Sequence, residues 1–317
     1  MRSESPFRAL ARGVVDVIKA PLMLIAIAIL LLIITVPFAA MLHSRLQESL
    51  SVQPPVSLNE TEIDPEWWME FREHARGLEA TFTPAVLGFA ATLDGISGVL
   101  DGRALPSALL LPLVLSIAAW AFIWGGALHR FQRGRGLGAG GFIRAALPHL
   151  LTFMLLAALA AAINILLYLT LHKLLFGPIN STLAGATSTE RDAFFVRVVL
   201  YVIFFAPVAL VAVVADYARV AVVSAGSRSP IDAIRIAIAF IRLRLAAVVT
   251  LYLLTGLIFV VITVAYGTLE VYGGSQVGGW RAVVIGQAYV FVRLAIRLTF
   301  ASSELRLFST NQIAAAE

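Results

Sequence analysis

Two arginines, Arg293 and Arg297, lie in an otherwise apolar run near the C-terminal end of the chain, VVIGQAYVFVRLAIRLTF. Residues four apart share one face of a helix. A charged side chain in the hydrocarbon of a bilayer costs several kcal/mol unless it is paired or hydrated, so it is a functional hypothesis in itself. Two such cations are suited to binding an anion or to pairing with carboxylates on a neighbouring helix.

Groups able to pair with these arginines lie at the ends of the fourth and sixth apolar runs. We therefore predict a polar cluster whose members are Asp216, Tyr217, Arg219, Gln287, Arg293, Arg297 and Glu304. In the structural interpretation, the cluster is a set of ion pairs that holds the fourth and sixth helices together. Asp216 would then pair with Arg293 or Arg297. The alternatives are a site for an anionic substrate or lipid headgroup, and proton-coupled transport.

Histidines are the second group that suggests chemistry, because paired imidazoles on neighbouring helices can hold haem or chlorophyll. His129 and His149 are predicted near the inner face of the membrane, and His43 and His172 near the outer face. All four sit at helix ends, where histidine is common. They are candidate pigment or haem ligands, but we predict no cofactor.

Catalytic and metal-binding motifs are absent from the sequence, which has no HExxH, no nucleophile elbow and no cysteine. The glycine-rich segment HRFQRGRGLGAGGFIR superficially resembles a phosphate-binding loop, but it lacks the strand and helix of a βαβ unit. We therefore predict no catalytic residues, no metal site and no enzymatic activity.

Composition identifies the elements that must position these groups. The chain has 317 residues, of which 60% are hydrophobic and 14% charged, whereas soluble domains carry about 25% charged residues. About 20 apolar residues are needed to cross a bilayer as a helix. We predict an all-α polytopic bundle of about six spans, at residues 20–42, 105–128, 145–171, 194–215, 245–268 and 281–303.

Charge sets the predicted orientation, because cytoplasmic loops of membrane proteins are enriched in Lys and Arg. The N-terminal segment 1–19 is basic, and the loop from Leu128 to Arg144 carries four arginines and no acid. We therefore place both termini in the cytoplasm of a bacterial cell. Residues 43–104 form an acidic periplasmic section, and 105–317 form a five-helix membrane region with a cytoplasmic tail.

Expected partners follow from the same charges. The excess of 24 basic over 19 acidic residues is interpreted as loop charge, so no nucleic-acid partner is predicted. The lipid bilayer is the main partner, with anionic lipid at the cytoplasmic basic loops.

Four further segments have predicted roles. Ser229 and Pro230 can start an amphipathic cytoplasmic helix, and TPAVLGFAATLDGISGVLDG predicts another amphipathic helix. The segment from Lys173 to Asp192 is predicted to be a periplasmic loop. Trp67 and Trp68 suggest either the headgroup level or a docking surface for a periplasmic partner.

Three stretches carry a family resemblance: TFTPAVLGFAATLDGISGVLDG, ADYARV with the following SPIDAIRIAIAFIR, and GQAYVFVRLAIRLTFASSELRLF. They resemble segments of a group of bacterial multi-span inner-membrane proteins that has no assigned function. The resemblance implies the fold and brings no catalytic residues.

The expected function is that of a non-enzymatic integral membrane protein. The absence of catalytic motifs and the two amphipathic surface segments favour an accessory, scaffold or assembly subunit of a bacterial envelope complex, with other membrane-protein subunits as partners. The intramembrane arginines favour the alternative, a permease or transporter of a lipid or anionic solute.

Overall fold

A computed structural model describes residues 4–52, 65–83, 88–134, 136–186, 189–227, 229–273 and 280–316. Its fold is 90% helical, and the residues it describes contain no strand. In chain order the α-helices are α1 (Pro6–Ile18), α2 (Pro21–Val52), α3 (Pro65–His74), α4 (Gly88–Leu100), α5 (Leu110–Arg133), α6 (Ala139–Leu167), α7 (Asn180–Gly185), α8 (Glu190–Ala225), α9 (Pro230–Leu243), α10 (Leu245–Gly273) and α11 (Trp280–Ala316).

Six helical stretches are long and apolar enough to cross a membrane: Pro21–Ser49, Ser107–Arg133, Ala139–Leu183, Glu190–Ala225, Leu245–Glu270 and Val283–Ser309. The predicted all-α polytopic bundle of six membrane helices is therefore confirmed. The protein is a multi-pass membrane protein, because helices of this length and composition satisfy their backbone hydrogen bonds internally in lipid.

Local sequence explains where two of the helices begin and end. The side chain of Thr189 accepts a hydrogen bond from the Asp192 N–H at the start of α8, and Gly226 ends that helix in the left-handed region at φ 66°. At the start of α9, the Ser229 side chain accepts from the Asp232 N–H and Pro230 is the first helical residue. The predicted start of this helix is confirmed.

The buried face of α9 combines two small side chains with two large ones. Ala233 and Ala237 are fully buried with Phe240 and Ile241, whereas Ile231 is 61% exposed. Alanines let two helix backbones approach closely. The amphipathic helix thus packs within unit 1 through the face that carries these alanines, and it leaves Ile231 uncovered.

The segment predicted as a loop from Lys173 to Asp192 is mostly helical, so that prediction is wrong. Two π-helical stretches, Tyr168–His172 and Leu175–Ile179, continue α6 and lead into α7. Leu175 is buried against Leu200 and Phe204 of α8. This packing stabilises the helix beyond the point where the polar composition suggested an end.

The chain forms two compact units. Unit 1 comprises Met1–Lys19, Trp120–Leu254 and Leu298–Glu317, and unit 2 comprises Ala20–Ala119 and Thr255–Arg297.

Unit 2 contains a small aromatic core formed by Trp67, Phe71 and Phe82, packed on Leu42 and Leu46 of α2. Trp67 is therefore a core residue rather than part of an exposed docking surface.

The amphipathic helix predicted in TPAVLGFAATLDGISGVLDG appears in unit 2 as α4, and it exposes Leu93, Ile96 and Val99. Its first turn is fixed by α10, where the Glu270 carboxylate accepts a hydrogen bond of 2.6 Å from the Phe89 N–H. This bond satisfies one of the N–H groups at the start of a helix that have no acceptor within the helix.

Candidate functional site: carboxyl groups bridged by Tyr252

A polar cluster within unit 1 is formed by α8, α10 and α11. The Tyr252 hydroxyl lies 2.9 Å from Oδ2 of Asp216 and 2.9 Å from Oε1 of Glu304. Arg219 donates from its guanidinium to Oδ1 of Asp216 over 2.6 Å. We call Asp216, Arg219, Tyr252 and Glu304 the Tyr252 cluster.

The helix register explains how α8 presents two of these groups together. Asp216 and Arg219 are three residues apart and therefore share a helix face. Arg219 also donates from Nε to the Ala215 carbonyl over 3.2 Å, and its guanidinium lies 5.5 Å from the ring centroid of Trp124. The guanidinium is thus held by a carboxylate, a backbone carbonyl and an aromatic face.

Burial differs strongly across the cluster. Glu304 is 4% exposed, whereas the side chains of Asp216 and Arg219 are 23% and 22% exposed. Tyr252 is half-buried, and its ring packs edge-on against Phe300 at 4.6 Å. The cluster therefore runs from a partly accessible ion pair to a carboxyl group shielded from the surroundings.

Tyr217 lies beside this cluster and is fully buried. Its ring packs against Phe240 of α9 at 5.0 Å, and it interacts electrostatically with both Glu304 and Asp216. Among the described residues, its hydroxyl has no hydrogen-bond partner. Burial of an unpaired hydroxyl costs about 1–3 kcal/mol, so Tyr217 is an energetically unfavourable feature next to two carboxyl groups.

A second polar contact joins the N-terminal helix to α11 within unit 1. Asp16 of α1 accepts two hydrogen bonds of 2.7 Å from the Arg306 guanidinium and one of 2.6 Å from the Ser302 hydroxyl. Gly13 faces the same helix, because a Cβ at this position would lie 2.6 Å from the Thr299 carbonyl oxygen. We call Asp16, Ser302 and Arg306 the α1 clamp.

The predicted cluster is thus only partly assembled in unit 1. Asp216, Tyr217, Arg219 and Glu304 belong to this unit, while Gln287, Arg293 and Arg297 belong to unit 2 and are exposed. The ion pair that the structure shows for Asp216 is with Arg219. Its pairing with Arg293 or Arg297 stays a prediction.

Arg293 is supported by aromatic rings of unit 2. Its guanidinium lies 5.5 Å from the ring centroid of Tyr289 and 5.7 Å from that of Phe259. Tyr289 stacks on Tyr266 at 4.1 Å, and its hydroxyl lies 3.0 Å from that of Thr263. Among the described residues of unit 2, no carboxylate lies within 4 Å of Arg293.

We call Phe259, Tyr266, Tyr289 and Arg293 the Arg293 stack. Ring faces attract a cation, but they do not neutralise its charge.

The four candidate histidines occupy different surroundings. His172 lies among Tyr168, Phe176 and Phe204, with ring centroids 4.6–5.4 Å apart. His149 stacks on Phe153 and interacts electrostatically with His129, whereas His43 is exposed in unit 2. Haem or pigment ligation by any of them stays a prediction. In the described part of the chain, no group of three or more His, Cys, Asp or Glu side chains has the geometry of a metal site.

A cavity of about 380 Å³ opens in unit 2 beside α2 and α3, with Trp67 and Phe71 in its wall. Its lining mixes acids with Arg45, which lies 3.3 Å from Glu48 and 3.6 Å from Glu79. Exposed ion pairs of this kind contribute about 0–1 kcal/mol. The cavity is therefore a polar surface feature in which three glutamates outnumber the single arginine.

Several residues of these sites escaped prediction from the sequence, among them Tyr252, Asp16 and Arg306. Tyr252 lies in the apolar run VVTLYLLTG, where a tyrosine attracts no attention. Asp16 lies in the N-terminal segment and Arg306 in the predicted C-terminal tail. The available signal was Asp16, which with Glu4 is one of two acids in the basic segment that precedes the first span.

No family model, curated protein or solved structure matches the chain. The function is therefore argued from the geometry alone.

Proposed function

We propose that this protein is a non-enzymatic accessory or assembly subunit of an envelope complex in the bacterial inner membrane. The observation that carries the proposal is the exposure of Arg293 on α11, inside an apolar membrane span. A charged residue in such a span normally faces a protein interior or a hydrated cavity and pairs with an opposite charge. A carboxylate on a helix of another membrane subunit would supply that charge.

The neighbouring surface of α11 fits an intramembrane contact. Val283 and Val290 are 63% and 50% exposed, and Gly286 is on the same side of the helix by its spacing from Arg293. A small residue such as Gly286 lets two helix backbones approach closely in lipid. A partner helix that bears one acid opposite Arg293 would bury both the charge and the apolar stripe.

Site-specific photo-crosslinking in intact cells tests the proposal. A photoreactive residue at Val290, one turn from Arg293, is expected to give a discrete protein adduct. The same residue at Val260 of α10, which is 55% exposed, is the matched control and is expected to react mainly with lipid. The adduct should disappear in Arg293→Gln and persist in Arg293→Lys.

A charge exchange then separates a specific contact from chance proximity. The crosslinked protein is identified by mass spectrometry, and its intramembrane acid is replaced by arginine in a cell carrying Arg293→Glu. Restoration of the adduct supports the proposal. Equal crosslinking from positions 290 and 260 contradicts it.

A second candidate function is a permease or transporter of an anionic solute or lipid. It is supported by the Tyr252 cluster, because buried ionisable groups within membrane helices commonly mark transport pathways. Purified protein in liposomes would be assayed for movement of a fluorescent anionic lipid and of small anions. Transport that falls in Arg293→Gln and in Glu304→Gln favours this candidate over the accessory subunit.

The orientation is part of the same proposal. We infer that both termini and the arginine-rich loop before α6 face the cytoplasm and contact anionic lipid, because basic residues concentrate on that side. Since the chain has no cysteine, single cysteines can be introduced without background. A membrane-impermeant maleimide should label Glu66→Cys in intact cells, but label Arg235→Cys only after lysis; the reverse pattern overturns the orientation.

A further inference from the structure

The Tyr252 cluster contains one proton too few for the contacts it makes. A phenol carries a single O–H, so Tyr252 donates to one carboxylate only. Its oxygen nevertheless lies 2.9 Å from both Asp216 and Glu304, which is hydrogen-bond distance in each case. Two carboxylates cannot both be satisfied by that hydroxyl, so one of the two contacts requires a proton from the acid itself.

Loss of the phenol proton does not resolve the conflict. A phenolate between two carboxylates would place three negative charges around the single guanidinium of Arg219. The charged groups that face Glu304 are Asp216 and Arg219 on α8, and the next cation along α11, Arg306, is bound to Asp16. Nothing among these groups supplies a second positive charge to the cluster.

The two acids differ in how well their charge is compensated. Asp216 has the guanidinium of Arg219 at 2.6 Å and is partly exposed. Glu304 is 4% exposed, and Tyr252 is the hydrogen-bond partner of its side chain in the described structure. An ionised carboxylate without a paired cation is strongly disfavoured in such surroundings. The proton therefore belongs on the buried acid rather than on the ion-paired one.

We propose that Glu304 is a buried proton-binding site and that Tyr252 connects it to Asp216. The Glu304 carboxyl donates its O–H to the Tyr252 oxygen, and the Tyr252 O–H donates to Oδ2 of Asp216. In this arrangement each of the two oxygen–oxygen contacts contains one hydrogen. The single negative charge lies on Asp216, next to Arg219.

The same geometry provides a route for the proton to leave. When the Glu304 O–H bond breaks, its proton joins the Tyr252 oxygen while the phenol proton moves to Asp216. One O–H bond forms at each acceptor and one breaks at each donor, so neither charge nor protons are lost. Asp216 then holds the proton at the partly exposed end of the cluster, where exchange with water is possible. This inference is independent of the proposed function.

Infrared spectroscopy of the protein in lipid nanodiscs tests the proposal without any substitution. At neutral pH, wild-type protein is expected to show the C=O stretching band of a protonated carboxyl, shifted in D₂O. Protein labelled with ¹³C-glutamate should shift this band, and protein labelled with ¹³C-aspartate should not. Absence of the band, or a shift with labelled aspartate, would overturn the assignment.

Three variants sharpen the result. Glu304→Gln should abolish the band, whereas Asp232→Asn should leave it unchanged, because Asp232 lies in an exposed pair with Arg235 on α9. Tyr252→Phe should keep the band but move it to higher wavenumber, since the carboxyl loses its acceptor. An unmoved band in Tyr252→Phe would overturn the role of the tyrosine.

Discussion

The two units of the protein accommodate intramembrane arginines in opposite ways. In unit 1, Arg219 and Arg306 are each paired with a carboxylate, Asp216 and Asp16, at 2.6–2.7 Å. In unit 2, Arg293 is exposed and supported by the rings of Phe259 and Tyr289. Arg219 and Arg306 are therefore neutralised within unit 1, while the Arg293 stack contains no carboxylate.

Under the proposed function, this difference corresponds to a structural role for the paired arginines and a recognition role for Arg293. An internally paired charge contributes to folding, and its loss leaves the partner unpaired in an apolar environment. An exposed charge without a carboxylate partner contributes less to folding, since within unit 2 only ring faces attract it. Substitutions in unit 1 should thus reduce stability, and those at Arg293 should reduce association.

The largest expected effect is in Asp216→Ala. The substitution leaves the Arg219 guanidinium with the Ala215 carbonyl and the Trp124 ring. Breaking a buried ion pair costs about 3–5 kcal/mol, and the partial exposure of this pair lowers the expected loss to about 2–4 kcal/mol. Thermal unfolding in mild detergent measures it. Asp232→Ala, in an exposed pair, is the control at about 0–1 kcal/mol; equal losses in the two variants would contradict internal pairing as a source of stability.

Three glycine substitutions compare packing in the two units. Gly13→Ala places a Cβ against the backbone of α11, where overpacking costs about 1–3 kcal/mol. Gly267→Ala meets the edge of the Phe89 ring at 2.9 Å, and a ring edge yields more easily than backbone. Gly256→Ala meets nothing within 4 Å and is the control for helix propensity. Gly13→Ala should have the lowest unfolding midpoint, Gly267→Ala an intermediate one and Gly256→Ala the highest. Any other order argues against the docking of α1 on α11.

A pair of tyrosine substitutions compares the two hydroxyls. Tyr252→Phe removes a group that bridges two carboxyl groups, and an unsatisfied buried acceptor costs about 1–3 kcal/mol. Tyr289→Phe removes one contact with Thr263, and interhelical hydrogen bonds in membranes average about 0.6 kcal/mol. Unfolding in denaturant should therefore show the greater loss for Tyr252→Phe. Equal losses would mean that Tyr252 makes no more than an ordinary interhelical contact.

The smallest expected effect on stability is in Arg293→Gln. Removal of an exposed cation from an apolar face should change the free energy of unfolding by less than about 1 kcal/mol. The same variant should nevertheless lose the crosslink from position 290. A large loss of stability in the isolated protein would instead assign Arg293 to the fold and remove the distinction between the two units.

Much of the architecture was predictable from local patterns. Run length and composition predict the six membrane helices, and Ser229 with Pro230 predicts the start of α9. The spacing of Asp216 and Arg219 predicts that they share a helix face. The loop predicted from Lys173 to Asp192 is wrong because Ser, Thr and Gly are typical of loops, whereas here Leu175 packs on α8 and keeps the segment helical.

The candidate site was only partly predictable. Asp216, Tyr217, Arg219 and Glu304 attract attention because ionisable and polar groups are rare in apolar helices. Tyr252 does not, since a tyrosine in an apolar run has many ordinary uses, and its position opposite two acids depends on how α10 packs. Asp16 and Arg306 are separated by 290 residues, so no local spacing relates them.

The sequence by itself determined which segments enter the membrane and which residues share a helix face, because hydrophobic length and the helical repeat are local properties. Only the tertiary structure decided which faces meet. It placed Tyr252 between Asp216 and Glu304, docked Gly13 on α11, and gave Arg293 aromatic rings rather than an acid of its own unit. The physical reason is that contacts between helices depend on close packing among segments far apart in the chain, where small side chains such as Gly13 and Ala237 permit approach and large ones prevent it.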